Sequence, residues 1–313
     1  MARLAFLFPG QGSQYVGMGQ DLYAADPGAR EIWEMAEETT GLPLKSLCFS
    51  GPMEELTQTV NLQPAVTVIN ICLCRALQAA QVSPQAVCGH SLGEFSALFA
   101  AGVLSARDTM AAVKERGRLM QREADKHPGT MVAVIGLTPE KLHGLVQPLA
   151  KEGAIALANF NTPEQTVISG SPEIVARAGN LAKAEGAKVV PLKVSGAWHS
   201  PLMAGANQDF AAFLASCCFQ PPTRPIYLNA TAAPEADPER LKQAMSRQLT
   251  SPVRWADLIL NLKAAGVDTW VEVGPKNVLK GLVRKILPQE PPENFFNVEN
   301  LQTLEGFLAA WRG

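Results

Sequence analysis

The chain has 313 residues, 47% of them hydrophobic and 18% charged, with a formal net charge of −2. That length suits one large α/β domain or one domain carrying an insertion, and the charge leaves no basic footprint for nucleic acid. The apolar run from Leu4 to Phe8 is too short for a signal segment and no apolar stretch reaches the ~18 residues of a membrane span, so a cytoplasmic protein with no membrane partner is expected.

Residues 3–8 read as a strand that ends in Pro9-Gly10-Gln11-Gly12-Ser13-Gln14, a loop whose glycines let the backbone approach a ligand closely. Loops at the carboxyl ends of parallel strands are where open α/β sheets place their sites. Helices are expected over 31–39 and 64–81, the second with Val66, Ile69, Leu73 and Leu77 on one stripe and Pro64 at its first position. Ala86-Val87-Cys88 then meets Gly89-His90-Ser91-Leu92-Gly93, and residues 95–102 are almost all small or apolar. That is strand, tight turn, buried helix. Glycines two positions to either side of Ser91 let strand and helix pass closely, while the serine takes a strained geometry at a helix N-terminus whose free N–H groups can hold an oxyanion. Ser91 is a candidate acyl nucleophile.

Ser105 caps a helix running to about Glu123, with Met110, Val113, Gly117 and Met120 as its apolar stripe. Lys114 and Arg116 flank that stripe on opposite sides, and periodicity does not choose which of them looks inward. From residue 129 the texture changes. A strand over 131–137, a helix over 139–150, strands over 154–159 and 166–170 separated by Asn159-Phe160-Asn161-Thr162-Pro163, a helix over 172–185 and a strand over 188–194 give the order βαββαβ. This is the ferredoxin-like unit. Residues 129–195 are therefore expected to form a small subdomain inserted into a catalytic domain made of 1–128 and 196–313. Beyond it come helices near 203–216, 238–249, 255–265 and 277–286, strands over 226–229 and 269–273, and a C-terminal helix from about 304.

The six cysteines lack metal-ligand spacing and read as buried free thiols, with no metal site expected. Of the four histidines, His127 and His143 read as solvated or structural, and His90 abuts Ser91 at a turn that points the two side chains apart. His199 follows Ser195-Gly196-Ala197-Trp198 at the exit of the insert, a natural cleft, and is the candidate general base. Asp108 and Asp125 are the only aspartates between Ser91 and His199, and neither sits at a strand end. A dyad, its histidine steadied by a backbone carbonyl or an amide, is expected in place of a triad.

Phe8-Pro9-Gly10-Gln11-Gly12-Ser13-Gln14, Gln63-Pro64-Ala65, Gly89-His90-Ser91-Leu92-Gly93-Glu94, the 159–163 motif and Arg247-Gln248-Leu249 with Pro252-Val253 stand in one order from end to end of the chain. In these motifs essentially the whole chain resembles the malonyl-CoA:acyl carrier protein transacylases. The resemblance implies an α/β-hydrolase-like large domain with an inserted ferredoxin-like subdomain. It implies that Ser91 is acylated, that His199 is its base, that the N–H groups of Gln11 and Leu92 form the oxyanion hole, and that the Gln248 carbonyl orients His199. It makes Arg116 the partner of the malonyl carboxylate, which a planar guanidinium can grip with two parallel hydrogen bonds. Gln63, His90, Asn159 and Gln165 match substrate-pocket positions.

The implied partners are malonyl-CoA and an acyl carrier protein. Coenzyme A thioester is then substrate and phosphopantetheine belongs to the acceptor, with no cofactor of the enzyme's own and a monomer as the expected state. Trp198 departs from the housekeeping bacterial pattern, which has a small residue before the histidine, and is similar to the phenylalanine often found in polyketide extender-loading acyltransferases. An indole there favours malonyl over methylmalonyl and leaves fatty acid, polyketide and malonate decarboxylase carriers open as acceptors. A serine esterase or thioesterase is the rival reading; it would be expected to carry a triad acid and to need no carboxylate-binding arginine.

Overall fold

The computed structural model describes residues 3–312. Its strands are β1 (Leu4–Phe8), β2 (Ala86–Gly89), β3 (Thr130–Ile135), β4 (Ile155–Thr162), β5 (Gln165–Gly170), β6 (Lys188–Pro191), β7 (Ile226–Tyr227), β8 (Pro234–Glu235), β9 (Thr269–Val273) and β10 (Phe295–Val298). Six of them form a sheet in the order β10-β9-β1-β2-β7-β8, parallel except for β8, which turns back against β7. The other four form an antiparallel sheet in the order β4-β5-β3-β6. The fold is mixed α/β in two parts, as expected, and the smaller sheet has the ferredoxin-like order.

The central strand shows why the larger sheet is layered. β1 reads LAFLF with no polar residue, and every position is buried. Leu4, Phe6 and Phe8 pack into one core while Ala5 and Leu7 pack into a second on the opposite face. A strand covered on both sides needs this continuous apolar run. In β3 the same period of two divides Met131 and Ala133, which join the large core, from Val132 and Val134, which pack with Leu142, Val146 and Val175 of the insert's own helices. The insert thus turns one apolar face toward the larger part.

Several local readings need correction. The helix expected from Pro64 starts at Thr59 and ends at Ala79, so Pro64 lies inside it and not at its first position. Proline costs one i to i−4 bond there, and burial of fifteen of its residues outweighs that loss. By length and composition this helix could cross a membrane, with a mean hydropathy of 1.4, although no uninterrupted apolar run of that length exists; 78% of the window is buried within the protein. Helices Gln20–Ala25, Leu44–Ser50 and Met53–Thr57 and strands β8 and β10 were not anticipated. All are short, and short elements take their identity from neighbours more than from their own pattern. The helix placed at 31–39 runs over Pro27–Thr40, capped by the Asp26 side chain.

Ser105 caps its helix as read; Thr138 caps the helix Pro139–Leu149 in the same way, while Ser171, before the helix Pro172–Ala184, makes no such cap and donates its hydroxyl to the Ala154 carbonyl at 3.2 Å. The 159–163 motif is not a separator. β4 continues to Thr162 through two register shifts, because Phe160 N–H finds the Val253 carbonyl and Val253 N–H finds that of Ala158. Five cysteines are buried free thiols, whereas Cys218 is exposed.

Candidate active site

β2 feeds directly into the helix Gly93–Ala100, and Ser91 at the turn between them has a φ of +53°. A side chain at Gly89 would collide with the Gly93 backbone, and one at Gly93 would collide with the Phe8 carbonyl. Both glycines are therefore steric requirements of the turn. The same closeness brings the loop after β1 alongside: a Cβ on Gly10 would stand 2.7 Å from the His90 carbonyl oxygen. The N–H groups of Gln11 and Leu92 both lack an acceptor among the described residues and both residues line one cavity. Two unpaired donors on adjoining backbones that border one cavity suit an oxyanion.

His199 also has a positive φ, +57°, and is buried. Its Nε2 lies 2.7 Å from Ser91 Oγ. Its Nδ1 faces two carbonyl oxygens, Ser251 at 2.8 Å and Gln248 at 3.1 Å. Carbonyls only accept, so Nδ1 carries the hydrogen and Nε2 presents a lone pair to the serine. Burial, reinforced by the Arg116 charge, pushes the His199 pKa down to about 3, and the ring is neutral at ordinary pH. Among the described residues no carboxylate reaches Nδ1: Asp108 pairs with Ser105 and Asp125 accepts from Gln121, both on the helix Ala106–Lys126.

That helix also answers the choice between Lys114 and Arg116. A Cβ on Gly117 would stand 3.1 Å from the Thr59 carbonyl oxygen and 3.4 Å from Val60 Cα, so the glycine lets the two long helices lie close together beside Arg116. Arg116 is 1% exposed, while Lys114 is exposed. Its Nε donates to Gln248 Oε1 at 2.9 Å, Nη1 to Gln63 Oε1 at 2.9 Å, and Nη2 to Ser91 Oγ at 3.2 Å. Burial lowers its pKa to about 9, opposed by Glu94, so the guanidinium keeps its charge at neutral pH. Gln63 does not line the cavity, contrary to expectation. It sits behind Arg116 and aims it, as the Gln248 side chain does.

The cavity has a volume of about 270 Å³. Ser91, His199 and Arg116 line it; Met131, Val167, Leu192 and Val194 supply an apolar wall from the insert, and Val278, Leu279 and Leu282 supply another. Asn159 and Gln165 line it as expected. His90 lines it too, with Nε2 2.8 Å from Asn161 Oδ1 and its ring edge-on to Trp255. Trp198 is 5% exposed and borders the cavity beside His199, its indole packed where a Cβ on Gly196 would stand 2.6 Å away.

Sequence reasoning passed over Glu94, Asn161, Ser251 and Asn229. Glu94 is 2% exposed and accepts from Gln248 Nε2 and Asn229 N–H, both at 2.7 Å. Burial raises its pKa to about 7 against those two bonds and the Arg116 charge. A lone carboxylate in a helix otherwise small and apolar was the available signal for it. The others carry no such mark.

A mixed α/β fold with a strained serine turn, a neutral histidine and unpaired N–H groups at one cavity defines the class of acyl-handling serine enzymes. Residues 5–302 match the acyl transferase domain family. The chain is 41% identical over 288 residues to the malonyl CoA-acyl carrier protein transacylase of Bacillus subtilis (strain 168), covering 91% of each. It is 39% identical over 289 residues to that of Escherichia coli (strain K12), covering 92% of this chain and 94% of the relative. Among solved structures, the acyl carrier protein S-malonyltransferase from Vibrio cholerae matches 98% of this chain and 100% of its own, with a TM-score of 0.93 and 37% identity. A malonyl-transacylase in complex with its type II polyketide synthase acyl-carrier protein matches 99% of this chain and 100% of its own, with a TM-score of 0.94 and 35% identity. The chain belongs to the malonyl CoA-acyl carrier protein transacylase family and is an acyltransferase.

Proposed function

We propose that the protein moves a malonyl group from malonyl-CoA to the phosphopantetheine thiol of an acyl carrier protein, through an ester on Ser91. One observation carries the reading: Ser91 Oγ lies between His199 Nε2 at 2.7 Å and Arg116 Nη2 at 3.2 Å, so base and carboxylate anchor converge on one nucleophile. His199 takes the Oγ proton as Oγ attacks the thioester carbonyl, and the Gln11 and Leu92 N–H groups hold the oxyanion. Collapse breaks the C–S bond, and His199 returns the proton to the departing coenzyme A sulfur. The carrier thiol then gives its proton to His199, attacks the ester carbonyl, and releases Ser91 Oγ, which His199 reprotonates. Arg116 holds the malonyl carboxylate throughout.

This chemistry draws on no prosthetic group, since both thioesters are substrates. It is assigned to fatty acid or polyketide synthesis, a reading supported by the names of the bacterial relatives and the carrier complex of the structural neighbour, and to a cytoplasmic monomer as the resemblance implies. Incubation with labelled malonyl-CoA should leave a malonyl adduct on Ser91 by intact mass and none on Ser91→Ala. Normal labelling of Ser91→Ala would overturn the assignment. Release of free malonate irrespective of carrier protein would instead support the esterase reading, against which stands the absence of a carboxylate on His199 Nδ1 among the described residues.

A further inference from the structure

Asn229 lies two residues beyond β7, in the turn that follows this neighbour of β2, and its side chain spans the peptides leading into Ser91. Oδ1 accepts the Ser91 N–H at 2.7 Å, and Nδ2 donates to the Gly89 carbonyl at 2.6 Å. Asn229 is 2% exposed. The Asn229 backbone N–H donates in turn to Glu94 Oε1. The second oxygen of Glu94 takes Gln248 Nε2, which also donates to the Ser91 carbonyl at 2.8 Å, and the Gln248 carbonyl accepts from His199 Nδ1.

These contacts have a common logic. A non-glycine residue at positive φ costs about 1–3 kcal/mol and persists only where its surroundings hold it. Just before the serine the turn presents an acceptor, the Gly89 carbonyl, and a donor, the Ser91 N–H, on the two peptides that flank His90, and an asparagine amide supplies the complementary pair at that spacing. Glu94 fixes Asn229 on the nucleophile's side and Gln248 on the base's side, so one carboxylate joins the two frames. We propose that Asn229, held by Glu94, is a positioning residue for acyl transfer: it clamps the Gly89–His90 and His90–Ser91 peptides, the two that lead into the nucleophile, so that Ser91 Oγ stays aligned with His199 Nε2. This rests on Ser91 being the nucleophile.

Asn229→Ala should lower kcat for malonyl transfer by at least about tenfold, with KM within about threefold of wild type because Arg116 is untouched. The rate at which a fluorophosphonate probe labels Ser91 should fall in parallel. Asn229→Asp gives a signature that loss of stability alone would not. Its carboxylate keeps the acceptor for Ser91 N–H but opposes the Gly89 carbonyl with a lone pair, whereas the protonated acid restores both bonds. Glu94, Arg116, His199 and His90 lie on the turn side and Arg254, whose backbone N–H donates to the Asn229 carbonyl at 3.0 Å, on the other, and all are present in wild type too. The ratio of Asn229→Asp to wild-type labelling should therefore rise as pH is lowered from about 8.5 to about 6. A folded Asn229→Ala with wild-type kcat and labelling rate overturns the proposal; should that variant not fold, a flat Asn229→Asp ratio overturns it. Fluorophosphonate labelling reports Ser91 reactivity whether or not malonyl is the substrate, so a failed malonyl assay of the wild type would count against the functional reading alone.

Discussion

Arg116 and Ser91 are joined by a hydrogen bond in which Nη2 donates to Oγ at 3.2 Å. Two of the other guanidinium donors are committed to Gln63 and Gln248, and Nη1 also faces Met120 Sδ, a weak acceptor, at 3.1 Å. The edge a carboxylate can take is the one now shared by the nucleophile and a thioether. A bound malonyl carboxylate would replace both, which ties recognition of the acid to release of the serine.

Arg116→Ala should consequently lower kcat/KM for malonyl-CoA by about a hundredfold, as expected for loss of two charge-assisted bonds in a buried site, and acetyl-CoA transfer much less. Rates with the two donors decide the matter. An equal loss on both would mean that Arg116 serves the serine and not the substrate. Arg116→Lys should resemble the alanine variant, since one ammonium cannot satisfy Gln63 and Gln248 while reaching the acid.

His199, held down to about 3 by burial and the Arg116 charge, is already in its basic form at neutral pH. The kcat/KM profile should show no acid limb from this residue between about pH 5 and pH 8. In Arg116→Ala the neighbouring positive charge is gone, the pKa rises, and any acid limb should move toward neutrality. The sign for stability follows. An unfolded imidazole binds its proton near pH 6.5, the folded one only near 3, so between these values the unfolded chain binds more protons and stability falls as pH falls. Denaturant midpoints across that range, compared with those of His199→Gln, measure the contribution.

Trp198 fills the space beside His199, and Trp198→Ala should admit a branched acyl group. The ratio of methylmalonyl to malonyl transfer should rise on the order of tenfold, the scale of one methyl group in an apolar pocket. Removing so large a buried side chain should also cost about 3–5 kcal/mol of stability, visible as a lowered Tm. An unchanged ratio in a folded variant would place the selecting contact elsewhere, with Met131 and Val167 the next to test.

Gly93→Ala would drive a methyl group into the Phe8 carbonyl, which is backbone and cannot rotate away. We expect a loss of several kcal/mol and a protein that is insoluble or unfolds at much lower temperature. Gly144→Ala, on the insert's helix Pro139–Leu149 where a Cβ meets nothing, should be neutral or slightly stabilising in the same assay.

Much of the protein was legible without coordinates because the constraints behind it are local. Glycines two residues either side of Ser91 are demanded by the closeness of strand and helix, and the apolar run of β1 by burial on both faces. The βαββαβ order similarly announces the insert. What the tertiary structure decided lies in contacts between distant segments. Arg116 faces inward, and Lys114 does not, because Gln63 and Gln248 of distant segments meet the guanidinium there. The 159–163 motif became strand because Val253 lies alongside it. Gln63 went behind the arginine, and Ser251 joined Gln248 on His199 Nδ1 from 52 residues away. Asn229 reached the Ser91 turn across 138 positions. Sterics and periodicity act between neighbours in the chain and so are written in short motifs; a buried polar atom needs a partner wherever the fold supplies one, and only packing says where that is.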